Sequence, residues 1–297
     1  MMKDGIVNVF KPAGMTSHDV VGKLRKVYQT KKVGHTGTLD PDAIGVLPVC
    51  IGQATRLAEY FTEKEKSYRT ILKFGMETTT QDQSGEPVLK TGLPELDKKA
   101  FIQLLEEKFI GEISQIPPMY SAIKKDGQPL YKLARQGITV DIEPRIVQIS
   151  KIDVLMYNQE SAMLDITCSK GTYIRTLCQD IGRACGSSAY MGYLMRKKSG
   201  AFTVENSVPL EQLLQSQQPE QYLISMIDGL VDMPTLLVEK EENKLRILNG
   251  LPQRMPAVKN FAEGTLAKAI TLENELLAIG IIEEGYFKPN KVFKCGE

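Results

Sequence analysis

Residues 34–45 read "GHTGTLDPDAIG", three glycines, an Asp-Pro step and one of the chain's two histidines. No helix runs through such a stretch: its glycines carry the largest entropy cost, and Pro41 biases Asp40 away from the helical region. The apolar run "VLPVCI", residues 46–51, follows at once. The pattern reads as a glycine-rich loop that feeds a short apolar strand at 46–51. A turn accounts for the glycines. It accounts less readily for Asp40 and Asp42, placed just after Lys31 and Lys32.

The flanking segments supply the rest of a mixed fold. "GIVNVFK" reads as a strand, and a helix follows, with Thr16 or Ser17 as N-cap, Asp19 in the first turn and Val20, Val21, Leu24, Val27 and Tyr28 on one face. A helix is expected over about 53–61. In "KSYRTILKFG" Tyr68, Thr70, Leu72 and Phe74 alternate with Arg69, Ile71 and Lys73, which is strand periodicity. "METTTQDQSGEP" reads as a polar loop, and "ELDKKAFIQLLEEKFIG" as an amphipathic helix closed by Gly111. Residues 117–145 mix prolines, tyrosines and basic residues around a short helical piece near 129–136. They read as an excursion from the core, and long irregular insertions are often functional. "PRIVQISKIDVL" and "SAMLDITCS" are predicted strands. "GTYIRTLCQDIGRACG" is a predicted helix with Ile174, Leu177, Cys178, Ile181 and Ala184 inward and Gly186 at its end. Residues 204–235 are acidic and irregular. From about 237 one short helix, "EENKLRILNG", precedes the strands "TLAKAI", "LLAIGII" and "KVFK", a small second domain rich in β structure.

The chain has 297 residues, enough for roughly two domains. Its formal net charge is +1, so a polyanion partner has to be met by local patches. Two runs qualify: Lys11, Lys23, Arg25, Lys26, Lys31 and Lys32, then Lys170, Arg175, Arg183, Arg196, Lys197 and Lys198. Taken singly, each run describes a solvated helix face. The five cysteines, at 50, 168, 178, 185 and 295, include no CxxC, which argues against a disulfide framework or a zinc site of familiar spacing. No long apolar run opens the chain, and a reducing cytoplasm is the expected compartment. A phosphate-cradling GxxxxGK[ST] loop is absent, as is a G-x-S-x-G elbow. Asp40 then stands out. Taken alone, its setting suits an Asx-turn acceptor; the other reading is a carboxylate held in a fixed, exposed pose as nucleophile or general base.

Four blocks, "NVFKPAGMTSHDVV", "KVGHTGTLDPDAIGVLPVCIGQATRL", "QIPPMYSAIKKDGQPLYKLARQG" and "CSKGTYIRTLCQDIG", closely resemble in order and interval the signature blocks of the bacterial tRNA pseudouridine synthase B (TruB) family. The resemblance spans residues 5–200. It implies an α+β pseudouridine synthase core with a mixed, largely antiparallel sheet in residues 1–235, a thumb insertion over about 117–145, and a PUA-like β domain in 236–297. It implies an isomerase that converts the T-loop uridine at position 55 of tRNA to pseudouridine by base flipping, with no cofactor and no metal. Asp40 becomes the catalytic nucleophile, Arg175 its ionic partner and Tyr68 the aromatic platform for the flipped base. His35 is implied to hold the space left by that base, with Tyr173 and Leu194 in the pocket wall, Lys11 beneath the loop and Asp82 as a further acidic contact. Lys124, Lys125, Lys132 and Arg135 on the thumb are implied to meet tRNA phosphates, and a monomer acting on the T-arm, away from any membrane, is expected. The tail carries equal numbers of basic and acidic residues, unlike the basic surface of an RNA-gripping module. Two alternatives stay open here: an RNA-guided synthase subunit, whose relatives usually lack this thumb block, and a tRNA-folding helper whose catalysis is incidental.

Overall fold

A computed structural model describes residues 4–293; Cys295 and the last residue of the "KVFK" segment lie outside them. The strand Gly5–Lys11 is buried along nearly all its length. Its alternate residues serve two cores: Val7 and Val9 face one and Ile6 the other. A strand apolar on both faces needs a layer above and a layer below.

Both layers are present. The large mixed sheet runs in the order Val208–Pro209, Gly5–Lys11, Ile44–Ile51, Ala189–Ser199, Lys66–Phe74, Ser161–Cys168, Arg145–Tyr157, Gly111–Gln115. Two of its pairings are parallel, Gly5–Lys11 with Val208–Pro209 and Ile44–Ile51 with Ala189–Ser199; the others are antiparallel. The helices Ser17–Val27, Lys98–Phe109 and Ile174–Ala184 pack on one face through Val20, Leu24, Phe101, Leu105, Leu177 and Ile181. On the other face Ile6, Val46, Phe61 and Phe202 pack with Leu276, Ile279 and Phe293. Leu276 and Ile279 belong to a smaller sheet, Thr235–Leu237, Leu266–Ile270, Leu276–Glu283 and Tyr286–Val292, which Phe293 directly follows and whose far side is covered by the helix Glu241–Leu248.

Several local expectations change. Ala189–Ser199 is a strand central to the sheet, although its sequence, "AYMGYLMRKKS", shows no clean alternation. Two register shifts break the period against Lys66–Phe74, and the inward-facing Arg196 hides the pattern. The polar loop after Gly75 contains a ribbon, Met76–Thr78 with Pro87–Lys90, that buries Glu77. The helix expected at 53–61 is a 3₁₀ turn, Gly52–Leu57, followed by one α turn, Ala58–Thr62. The irregular 204–235 stretch holds the short helix Leu210–Gln215. Thr16 is the N-cap of Ser17–Val27 and forms a reciprocal capping box with Asp19. The 117–145 excursion forms a two-residue ribbon, Lys124–Lys125 with Gln128–Pro129, and the helix Leu130–Arg135.

One row across the sheet aligns four residues: Lys11 opposite Gly45, Gly45 opposite Arg196, and Arg196 opposite Tyr68. Gly45 has φ +104°, and a Cβ there would lie 2.3 Å from the Arg196 carbonyl oxygen. Gly45→Ala is expected to destabilise the protein by ~3 kcal/mol, because a left-handed backbone and a backbone clash are imposed together. Gly34→Ala, in open space, is expected to stay within ~0.5 kcal/mol of wild type. Thermal melts of the pair check this.

Candidate active site

The Gly34–Gly45 loop lies above that row and is pinned from beneath by two buried cations. The Lys11 ammonium donates to the carbonyls of Pro12 (2.8 Å), Met15 (2.7 Å) and Pro41 (2.9 Å). The Arg196 guanidinium donates to the carbonyls of Val46 (2.7 Å), Gly37 (3.0 Å) and Thr38 (3.4 Å). Burial pulls the Lys11 pKa down to about 8, against the attraction of Asp42 and Asp40. Ser17 braces the loop from the adjoining helix: its Oγ accepts from the Leu39 amide at 2.8 Å. Asp40 itself closes a turn, its carbonyl accepting from the Ala43 amide at 3.1 Å, which leaves its carboxylate free to face the cleft.

The cleft has a volume of about 790 Å³ and is lined by Asp40, Tyr68, Asp82, Tyr173, Arg175 and Leu194, among others. Arg175, on the Ile174–Ala184 helix, is almost fully buried and grips Asp40 side-on. Its Nε lies 3.0 Å from Oδ2 and its Nη2 donates to Oδ1 at 3.3 Å. The same guanidinium donates to the carbonyls of Thr80 (3.1 Å) and Tyr120 (2.9 Å), and Asp82 Oδ2 lies 3.8 Å away. A paired guanidinium normally depresses a carboxylate pKa. Here burial is the larger effect: Asp40 is pushed above its ordinary value of 3.8, with Arg175 and Lys11 pulling it down and Asp82 pushing it up.

Tyr68 projects into the cleft from Lys66–Phe74, and burial raises its pKa, so it stays a neutral phenol. Tyr173, the residue before the Arg175 helix, is fixed through its backbone by Gln115, which accepts from its amide at 2.8 Å and donates to its carbonyl at 3.0 Å. Leu194 is a buried wall residue on the central strand. Asp82 acts locally as a loop brace, accepting from Thr80 Oγ1 (2.6 Å), Ser84 N (3.0 Å) and Ser84 Oγ (2.6 Å).

Lys11 lies under the loop, where the resemblance puts it, and not in the cleft lining. His35 ends the short strand Val33–His35, outside the lining, with its ring edge-on to His18 at 6.5 Å. Its Nδ1 accepts from the Gly37 amide at 3.3 Å, and burial lowers its pKa, so the ring is neutral with its proton on Nε2. On the thumb, Arg135 lies over the Tyr131 ring at 5.7 Å, and both line the cleft; Lys124, Lys125 and Lys132 are exposed and lie outside that lining. The sequence reading passed over Arg196 as a support and Lys66 as a lining residue. The available signal was position: Lys66 shares the inward face with Tyr68 and Thr70, where a charge has to find partners.

Residues 25–174 match the sequence model described as TruB family pseudouridylate synthase (N terminal domain), and residues 175–232 match that of the tRNA pseudouridylate synthase B C-terminal domain. The chain belongs to the TruB family. It is 45% identical over 281 residues to a tRNA pseudouridine synthase B of Heliobacterium mobile, covering 93% of this chain and 89% of that one. With the Pseudomonas syringae protein of the same name it shares 40% over 297 residues, covering 98% and 95%. Among solved structures it is similar to a chain of a Cbf5–Nop10–Gar1 complex, with TM-score 0.74, 26% identity and coverage of 98% and 84%. A chain of an H/ACA RNP bound to a substrate RNA containing 2′-deoxyuridine gives TM-score 0.73 at 24% identity, covering 98% and 85%, which shows the shared fold. TruB enzymes are pseudouridine synthases, and this chain is an isomerase of that class. Among the described residues no helix is long and apolar enough to cross a membrane, and no cluster of three or more His, Cys, Asp or Glu is suited to a metal.

The loop supports generate a test. Lys11→Met keeps the buried length and removes the ammonium, leaving carbonyls at Pro12 and Met15 short of a donor. A stability loss of ~2–3 kcal/mol is expected, with turnover falling because the Asp40 loop loosens; urea melts and single-turnover assays read the two effects separately.

Proposed function

We propose that this protein converts the T-loop uridine at position 55 of tRNA to pseudouridine, with Asp40 as the nucleophile. The observation that carries the reading is the pairing of the buried Arg175 with a half-buried Asp40 in the lining of a cleft large enough for a flipped nucleotide. The pair accounts for a carboxylate held ionised in a site whose burial disfavours charge. The resemblance and the tRNA-directed names of relatives at 40–45% identity support the substrate. They also favour a stand-alone enzyme over an RNA-guided subunit, as does the thumb block.

The residues divide the work. Asp40 attacks the ribose or the base, or promotes elimination at the sugar; uracil leaves, turns, and rejoins through C5 with loss of the C5 proton. Arg175 keeps Asp40 charged and aimed. Tyr68 stacks on the base, and Tyr173 and Leu194 complete its pocket. His35, neutral and at the loop's rim, fills the place of the extruded base. Lys124, Lys125, Lys132 and Arg135 meet phosphates, which adds affinity without reading sequence. Residues 1–235 form the catalytic unit, and 236–297 a PUA-like unit that grips tRNA further along. The enzyme acts in the cytoplasm as a monomer.

Tritium release from tRNA bearing 5-tritiated uridine tests the assignment. Wild type is expected to release one equivalent, and Asp40→Asn none while still binding tRNA. Because Asp40 has a raised pKa, its ionisation costs stability as pH rises past the unfolded value. At pH 7 the Asn variant is therefore expected to melt no lower than wild type, which separates lost chemistry from lost folding. Full turnover by Asp40→Asn would sink the proposal.

The pH profile follows from the same groups. Only ionised Asp40 reacts, so kcat/KM is expected to fall on an acid limb above the ordinary value of 3.8. Arg175→Gln removes the largest influence holding that limb down, and the limb is expected to move to higher pH. Replacing Lys124, Lys125 and Lys132 with Ala is expected to weaken tRNA binding and flatten its salt dependence by roughly one unit of slope per lost phosphate contact, with kcat unchanged at saturation.

A further inference from the structure

Gln81 sits in the polar ribbon loop with φ +63°, a left-handed conformation that glycine, asparagine or aspartate adopts more readily. Something has to hold it there. Its side chain bridges to the Arg175 helix at two points: Oε1 accepts from Thr176 Oγ1 at 2.8 Å, and Nε2 donates to Gln179 Oε1 at 2.8 Å. Gln179 Nε2 in turn donates to Glu77 Oε2 at 2.7 Å, and Glu77 takes a two-point grip from Arg183 at 2.9 and 2.8 Å. Glu77, Thr176 and Gln179 are all buried.

The chain of bonds has a fixed direction. An ionised Glu77 only accepts, so Gln179 must turn its NH₂ toward it and its oxygen toward Gln81. Gln81 must then present its NH₂ to Gln179 and its oxygen to the Thr176 hydroxyl. Flipping Gln81 would set its oxygen against that of Gln179, and flipping Gln179 would set its oxygen against the Glu77 carboxylate, so neither amide can turn without facing like against like. The residues on either side of Gln81 are the ones that meet Arg175: the Thr80 carbonyl accepts from Nη1 at 3.1 Å, and Asp82 Oδ2 lies 3.8 Å from it.

We propose that Gln81 is a positioning residue, held by the Gln179–Glu77–Arg183 chain, that fixes the Thr80–Asp82 backbone against Arg175 and so aims the guanidinium at Asp40. The proposal rests on the Asp40–Arg175 reading above. The charged and titratable groups facing Asp40 are Arg175, Lys11, Asp82, Tyr68 and Tyr173. The Gln81 chain acts on Asp40 through Arg175 and Asp82.

Three variants test it: Gln81→Met, Gln179→Met and Gln81→Gly. Each is measured for kcat, KM for tRNA and the acid limb of kcat/KM, beside wild type and Asp40→Asn. For Gln81→Met and Gln179→Met, kcat is expected to fall by at least ~10-fold through misplacement of the Arg175–Asp40 pair. KM should stay within ~2-fold, and the acid limb should move to higher pH in the direction of Arg175→Gln. Gln81→Gly relieves the backbone conformation but removes the side chain, and is expected to be as defective as Gln81→Met. Wild-type kcat and limb in Gln81→Gly would overturn the proposal by showing that only the backbone conformation matters. Wild-type kcat and limb in a folded Gln179→Met would overturn it too, even where Gln81→Met does not fold. If Asp40→Asn stays active, the reading beneath fails; if Asp40→Asn is inactive and the three variants match wild type, the Gln81 proposal alone fails.

Discussion

Two buried cations beneath one loop set the geometry on which the rest depends. Lys11 and Arg196 stand on strands either side of Gly45, in one row of the sheet, and both spend their N–H groups on loop carbonyls rather than on carboxylates. The glycine-rich loop has only Leu39 and Ala43 packed in the core to stiffen it. Charged donors buried under its backbone add to that stiffness by satisfying backbone carbonyls that are shielded from water. The absent Cβ of Gly45 makes the arrangement possible, because the Arg196 backbone occupies the space that a side chain there would need.

Arg175 is the second organising group. Its guanidinium joins Asp40 from the loop, Thr80 from the ribbon and Tyr120 from the base of the thumb insertion. Three segments distant in sequence therefore share one rigid fork of donors. The balance at Asp40 follows from this. Burial raises its pKa and the guanidinium opposes that rise, so anything that loosens Arg175 changes both where the carboxylate points and how readily it ionises.

The loop, the helices and the excursion were legible because each leaves a local mark: glycines and Asp-Pro for the loop, a Thr16–Asp19 cap for the first helix, a clean inward stripe on Ile174–Ala184. The strand Ala189–Ser199 was not, because its bulges break the period of two and a buried arginine stands where an apolar residue would be read. The same limit hid Glu77 and Gln81. In sequence they belong to a polar loop, and only their partners on the Arg175 helix, about a hundred residues on, make them members of one network. Lys11 and Arg196 were visible as charges but read most simply as solvated ones, since burial of a cation depends on acceptors that the local sequence does not contain.

By itself, the sequence determined the mixed α/β character, the glycine-permitted loop with Asp40, and, through four ordered blocks, the TruB family. Those features are set by local backbone preference, periodicity and the spacing of residues close in the chain. Tertiary structure alone decided that Arg175 lies 3.0 Å from Asp40, that two cations hold the loop from below, and that burial raises the Asp40 pKa against the pull of the ion pair. Each of those depends on distances and solvent exclusion between segments far apart in sequence, and Coulomb attraction and desolvation act on distance and burial alone.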